Sequence, residues 1–303
     1  RTKIIKGPKQ AIESIEKVFA GLDFDVYECD LETAVSHMEQ LAEKPISIKD
    51  TPLFNVKIYK LSKADYILFN NFHHIIFDGW SFDIFFSQLN KLYLDEDSLI
   101  EERSYQHYVD EQKALLATGE FKSKLEKLKT YFESSSKVNL LPCDFERPNK
   151  INHFAKTLDF TIDSDLFDSL KSFSQKNDVS LFNIFLSSFS RCLMKEIGTN
   201  EILIGTPLRA RPEGSDRNTI GYFVNSLPVK IINKQDDLEF LKTTQESILN
   251  TVEHENIPLE KLIQALGIQR NPSYTALFQH FFSFQDVTNR AGTFSHLNYS
   301  YHF

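Results

Sequence analysis

His73-His74-Ile75-Ile76-Phe77-Asp78-Gly79-Trp80-Ser81 reads as the end of a strand, a tight turn and the start of a helix. Upstream, Leu53 to Leu61 (LFNVKIYKL) alternates apolar and polar residues, the pattern of a half-buried strand. Asp65 to Phe72 (DYILFNNF) has the same character, and the two suit a hairpin turning across Ser62–Ala64. Downstream, Ser81 to Leu94 (SFDIFFSQLNKLYL) changes to a helical period, with Ser81 as its expected cap. Strand partners on one side of the turn and a helix on the other predict a mixed α/β fold.

The same alternation runs along the rest of the chain. Residues 9–20 (KQAIESIEKVFA) place Ile12, Ile15, Val18 and Phe19 at helical spacing, and Asp30 caps an expected helix that Pro45 closes. Two charged helices are expected near 104–117 and 120–135, their charges forming a solvated face that includes an i,i+4 pair of Lys122 with Glu126. The pattern breaks over VNLLPCDFERPNKINH, so the lobe boundary is placed there, giving lobes 1–145 and 146–303. The second lobe is expected to hold a strand at 155–162 and a helix at 164–176. A buried helix capped by Ser180 follows, then strands at 201–207 and 221–231, helices near 238–252 and 258–266, and an aromatic strand at 278–285.

Composition narrows the class. A chain of 303 residues with 41% apolar and 25% charged residues is globular and large enough for two lobes. A net charge of −8 argues against a chain-wide electrostatic footprint for nucleic acid or anionic lipid. The three cysteines, Cys29, Cys143 and Cys192, stand far apart and are read as small buried hydrophobes in a reducing, cytoplasmic setting, with neither a disulfide framework nor a metal site. No apolar run approaches the ~18 residues of a membrane span, and the opening RTKIIKG has no signal-peptide layout; it is expected to be a cut inside a longer protein. The 27 Phe against ten Gly and ten Pro predict long elements around an aromatic core.

The turn carries the chemistry. Successive strand residues face opposite ways, so only one of His73 and His74 faces a given surface. Asp-Gly permits a sharp reversal and a close approach at Gly79. An imidazole with an unperturbed pKa of about 6.5 accepts a proton readily near neutrality.

HHIIFDGWS resembles the HHxxxDG signature of the condensation domains of nonribosomal peptide synthetases, a family that shares the chloramphenicol acetyltransferase fold. Further segments are similar in the expected order: Arg1-Thr2 with the end of RHExLRT, Tyr105 to Asp110 (YQHYVD) with the helix after the His motif, and Ile220 to Leu227 (IGYFVNSL) with IGxFVNT. His254 to Glu260 (HENIPLE) resembles HQDYPFE, departing from it at Glu255, Asn256 and Leu259, and Arg270-Asn271-Pro272 resembles the core of RxxSRNPL. The resemblance implies two chloramphenicol acetyltransferase-like α/β sandwich lobes arranged as a pseudo-dimer, incomplete at both chain ends.

It also implies a reaction. A donor acyl or peptidyl thioester and an acceptor aminoacyl thioester, each on the 4'-phosphopantetheine arm of a carrier protein, join through an amide bond. The expected partners are donor and acceptor peptidyl carrier domains and a neighbouring adenylation domain, with no nucleic acid, membrane, metal or intrinsically bound cofactor. By motif position His74 stands at the reaction centre, either as general base or by positioning the attacking amine; His73 supports it. Asp78 is structural, fixing the loop through an arginine for which Arg1 is one candidate. Gly79 offers a backbone N–H to the developing oxyanion. Asn225, Trp80 and Ser81 are expected at the substrates, with a turn-stabilising role as the alternative for Asn225. His107 and His254 read as packing or surface residues. Heterocyclisation relatives would carry Asp in place of His at the start of the motif (DxxxxD), and epimerisation relatives would continue DGxSWR; here the motif starts His73-His74 and continues Asp78-Gly79-Trp80-Ser81-Phe82-Asp83. A stand-alone O- or N-acyltransferase and a catalytically silent recruitment module are the competing functions.

Overall fold

The computed structural model describes residues 2–4, 10–22, 25–94, 104–152, 155–211 and 218–285. Its secondary structure is mixed α/β, and the chain divides into two compact units. One unit comprises the described parts of Arg1–Tyr105 and Glu213–Tyr222; the other comprises those of Gln106–Pro212 and Phe223–Asn289.

In the first unit, β1 (Thr2–Ile4) pairs antiparallel with β2 (Gln10–Ile12), and α1 (Ile15–Ala20) begins only after Ser14, whose hydroxyl accepts the Lys17 N–H. The expected single helix over 9–20 is therefore a strand followed by a short helix. The pairing with β1 satisfies the backbone of Gln10–Ile12, which local periodicity cannot register. β3 (Val26–Glu28) leads to α2 (Leu31–Glu43), capped by Asp30 as expected. The Asp30 Oδ1 accepts the Thr33 N–H at 2.8 Å. β4 (Phe54–Lys60) and β5 (Tyr66–Phe72) form the expected hairpin, with Phe54 opposite Phe72 and Lys60 opposite Tyr66. β3 pairs parallel to β4, giving a sheet ordered β3-β4-β5. Beneath it Tyr59, 1% exposed, hydrogen-bonds the His37 imidazole of α2 at 3.0 Å.

After β5 the chain makes a 3-10 turn (His74–Ile76) and enters α3 (Gly79–Tyr93). The phenylalanine surplus is spent here. Phe72 of β5 stacks on Phe77 at 4.0 Å between centroids, and both meet Phe82 and Phe85 of α3 edge-on. Such rings bury large areas and favour offset or T-shaped contacts. They lock strand, turn and helix into one rigid corner.

The second unit begins with α4 (Tyr105–Leu116), whose first residue lies in the first unit, and α5 (Gly119–Glu133). Salt bridges along their outer faces join Lys113 to Asp110, Lys124 to Glu120 and Lys129 to Glu126. Lys137 closes the end of α5 by donating to the carbonyls of Phe132 and Glu133 at 2.7 and 2.8 Å, and burial lowers its pKa. α6 (Ser164–Asn177) and α7 (Leu181–Ile197) follow, capped by Asp163 and Ser180. β6 (Glu201–Leu208) pairs antiparallel with β7 (Asn225–Ile232) and parallel with β8 (His280–Phe281), while α8 (Asp237–Glu253) and α9 (Leu259–Ala265) fill the connection.

This sheet is covered on both faces. Ile202 and Ile204 of β6, with Val229 and Ile231 of β7, pack against Leu186, Leu193 and Met194 of α7 and Phe240 of α8. Leu203 joins Phe121, Leu128 and Phe132 of α5 and Leu262 of α9. Each buried aliphatic side chain contributes about 1.5–3 kcal/mol. A helix–sheet–helix sandwich results, as the binary pattern of β6 requires.

Five expectations change here. The aromatic strand expected at 278–285 is reduced to the two residues of β8, His280–Phe281. Residues 155–163 form no strand; Leu158 and Phe160 are 87% and 81% exposed, so their alternation is not matched by a ladder among the described residues. α7 is not buried all round, because Ser188, Phe189 and Cys192 face outward. β7 starts at Asn225 rather than 221, since Gly221 bonds elsewhere. Cys143 and Cys192 are exposed and Cys29 is half-buried, so they are not core residues. They remain free thiols.

Candidate active site

The corner between β5 and α3 gathers His73, His74, Asp78, Gly79, Trp80 and Ser81. His73 is fixed first. Its N–H donates to the Leu53 carbonyl at 2.9 Å, and its Nδ1 accepts the Ile75 N–H at 3.1 Å. An accepting Nδ1 is unprotonated, which places the ring proton of the neutral imidazole on Nε2. His73 is thus half-buried and occupied with the turn, whereas His74 on the next position is exposed. Of the two histidines, His74 is the one that faces outward.

Asp78 is 2% exposed and caps α3. Its Oδ1 accepts both the N–H and the hydroxyl of Ser81, at 2.9 and 2.8 Å. The cap is therefore Asp78, not Ser81 as expected from the start of the apolar period. A carboxylate here accepts first-turn N–H groups and complements the positive end of the helix dipole. Gly79 is the first residue of that helix, so its N–H belongs to the first-turn donors that have no partner within the helix itself. Arg1, the candidate partner of Asp78, lies outside the described residues.

Ser81 is fully buried, and its hydroxyl is spent inside the protein. Besides Asp78 it meets Gly221 twice: Oγ reaches the Gly221 carbonyl at 3.0 Å and accepts the Gly221 N–H at 3.1 Å. A hydroxyl has one proton, so the Asp78 carboxylate and the Gly221 carbonyl share it while the N–H uses a lone pair. The clamp ties the turn to a segment 140 residues away in sequence. The next residue, Tyr222, sets its ring 5.4 Å from the His74 ring at 77°. Sequence reasoning missed Tyr222, because nothing local marks a contact made across that separation.

Asn225 belongs to the other unit. Its Nδ2 donates to the carbonyls of Glu255 and Ile257 at 2.8 and 2.6 Å, and its Oδ1 accepts the N–H of Ser226 and, at 3.3 Å, of Leu259. No local side chain caps α9, so Asn225 supplies that acceptor from β7. These bonds match the turn-stabilising alternative. His254 is 7% exposed and its Nδ1 lies 2.7 Å from the Asn250 carbonyl, while His107 sits beside Glu111 on the surface of α4. Both are packing or surface residues.

A family model described as "Condensation domain" matches residues 7–303. The chain belongs to the condensation-domain family. Relatives include surfactin synthase subunit 1 of Bacillus subtilis (strain 168), 29% identical over 247 residues, which are 80% of this chain and 7% of that protein. Bacitracin synthase 2 of Bacillus licheniformis is 27% identical over 244 residues, 80% of this chain and 9% of the relative. The chain spans less than a tenth of either relative. Among solved structures, VibH, a nonribosomal peptide synthetase condensation enzyme, matches with a TM-score of 0.71 at 17% identity, over 93% of this chain and 74% of that one. The X-domain from teicoplanin biosynthesis matches at a TM-score of 0.80 and 18% identity, over 93% and 65%. The fold is that of condensation domains, as the resemblance of HHIIFDGWS implied. Among the described residues no three His, Cys, Asp or Glu side chains are grouped to hold a metal, and no helix is long and apolar enough to cross a membrane.

Proposed function

We propose that the chain joins a donor acyl or peptidyl thioester to an acceptor aminoacyl thioester, both carried on 4'-phosphopantetheine arms of carrier proteins. The acceptor amine attacks the donor carbonyl; a C–N bond forms, the C–S bond breaks, and the amine proton passes to the departing thiolate of the donor arm. The observation that carries this reading is the exposed His74 beside a buried Asp78 cap in an intact HHxxxDG turn. His74 either accepts the amine proton or orients the amine, contributions of about 10²–10⁴-fold and more. Gly79 offers its N–H to the oxyanion of the tetrahedral intermediate. Asp78 and Ser81 hold the turn, His73 supports it, Trp80 borders the substrates, and Asn225 acts through the 255–259 turn. The proposed partners are peptidyl carrier domains and an adenylation domain in a cytoplasmic synthetase, and the proposed lobes are 1–145 and 146–303.

Reconstitution with separately loaded donor and acceptor carriers, followed by mass spectrometry, tests this. Dipeptidyl thioester on the acceptor carrier is the expected product. Acyl transfer from coenzyme A to a free amine or alcohol, without carriers, would instead identify a stand-alone acyltransferase. Carrier binding without product would identify a recruitment module.

A further inference from the structure

We infer that Tyr222 is a positioning residue for His74: its ring holds the imidazole in one orientation. The inference deepens the proposed condensation function and rests on it for the meaning of His74. The His74 side chain sits at an exposed residue of a 3-10 turn, where an unrestrained side chain samples several rotamers. The ring 5.4 Å away at 77° is an edge-to-face partner, the arrangement aromatic rings prefer.

A partner can orient a ring only if it is itself held. The backbone of Tyr222 is pinned from both sides. Before it, Gly221 is clamped by the buried Ser81 hydroxyl through its N–H and its carbonyl, and Ser81 is in turn bonded to the α3 cap Asp78. On Tyr222 itself, the Tyr105 hydroxyl donates to the carbonyl at 2.5 Å. The turn that carries His74 and the residue that faces it are therefore fixed to the same helix start. The contact is ring to ring. Phenylalanine should serve in its place, whereas an aliphatic side chain should not. Loss of orientation at a reacting group commonly costs one to two orders of magnitude in rate.

The test uses the full chain with 13C-labelled histidine, the His74 signals being assigned by their loss in His74→Gln. Tyr222→Ala and Tyr222→Leu should move the ring signals of His74 and lower single-turnover formation of dipeptidyl thioester about tenfold or more, with KM for either carrier unchanged. Tyr222→Phe should restore both. The leucine variant keeps the volume filled should the alanine variant not fold. Unmoved His74 signals in the leucine variant, turnover within twofold of an active wild type, or failure of phenylalanine to rescue would each overturn the inference. If the wild-type chain makes no product, the condensation function falls separately. The His74 signals still decide the contact, which stands if leucine moves them and phenylalanine returns them, and is overturned otherwise.

Discussion

At Ser81 three hydrogen bonds converge on one buried oxygen, and their removal is the clearest residue-scale test of how the turn is held. Ser81→Ala leaves the Gly221 N–H without the hydroxyl in a buried place, a loss of about 1–3 kcal/mol. We expect that fall in chemical denaturation, together with reduced product formation. A second residue-scale expectation concerns acid. Hydrogen bonds from Thr33, its hydroxyl first and its backbone N–H second, hold the Asp30 carboxyl below its ordinary value. Its folded pKa is thus lower than its unfolded one, so the unfolded chain binds more protons in that range. The contribution is complete above the unfolded value and is lost as pH falls through the folded one. Asp30→Asn should lower the melting temperature at neutral pH and flatten its dependence on pH in that acid window, the two proteins converging as pH falls.

Element by element, the sequence was legible where local signals and tertiary contacts agree. The Asp30 and Ser180 caps and the β4–β5 hairpin are examples, since capping oxygens and alternation act within a few residues. It was illegible where distant partners decide. Gln10–Ile12 pairs with β1 despite helical spacing, and residues 155–163 alternate without joining a ladder. At the turn the sequence places the cap three residues late, because Asp78 precedes the apolar run that marks α3. Gly205 on β6 gives an element-scale prediction. A Cβ there would lie 2.3 Å from the Phe278 ring just before β8, so Gly205→Ala must displace that ring. A loss of about 1–3 kcal/mol is expected, measured by urea unfolding. Asn225→Asp should likewise cost about 1–3 kcal/mol, because a carboxylate oxygen replaces the amide that donates to Glu255 and Ile257. Hydrogen exchange should report the opening in α9 and not in α6.

For the whole molecule, family and fold follow from the match over residues 7–303, and the HHIIFDGWS turn explains why so short a stretch pointed to both. The turn couples a sheet edge, an aromatic corner and a helix start, and the segment that completes it comes from beyond α7 and β6 in the chain. For the proposed carrier partners, the net charge of −8 supplies no overall attraction to an acidic surface, so docking in that reading depends on local basic or apolar patches. The central claim, that His74 is the reacting histidine of a condensation site, is tested most directly by the single-turnover rate of dipeptidyl-thioester formation in the wild type and in His74→Ala. The account predicts a fall of about 10²–10⁴-fold with both carriers still bound; an unchanged rate would contradict it.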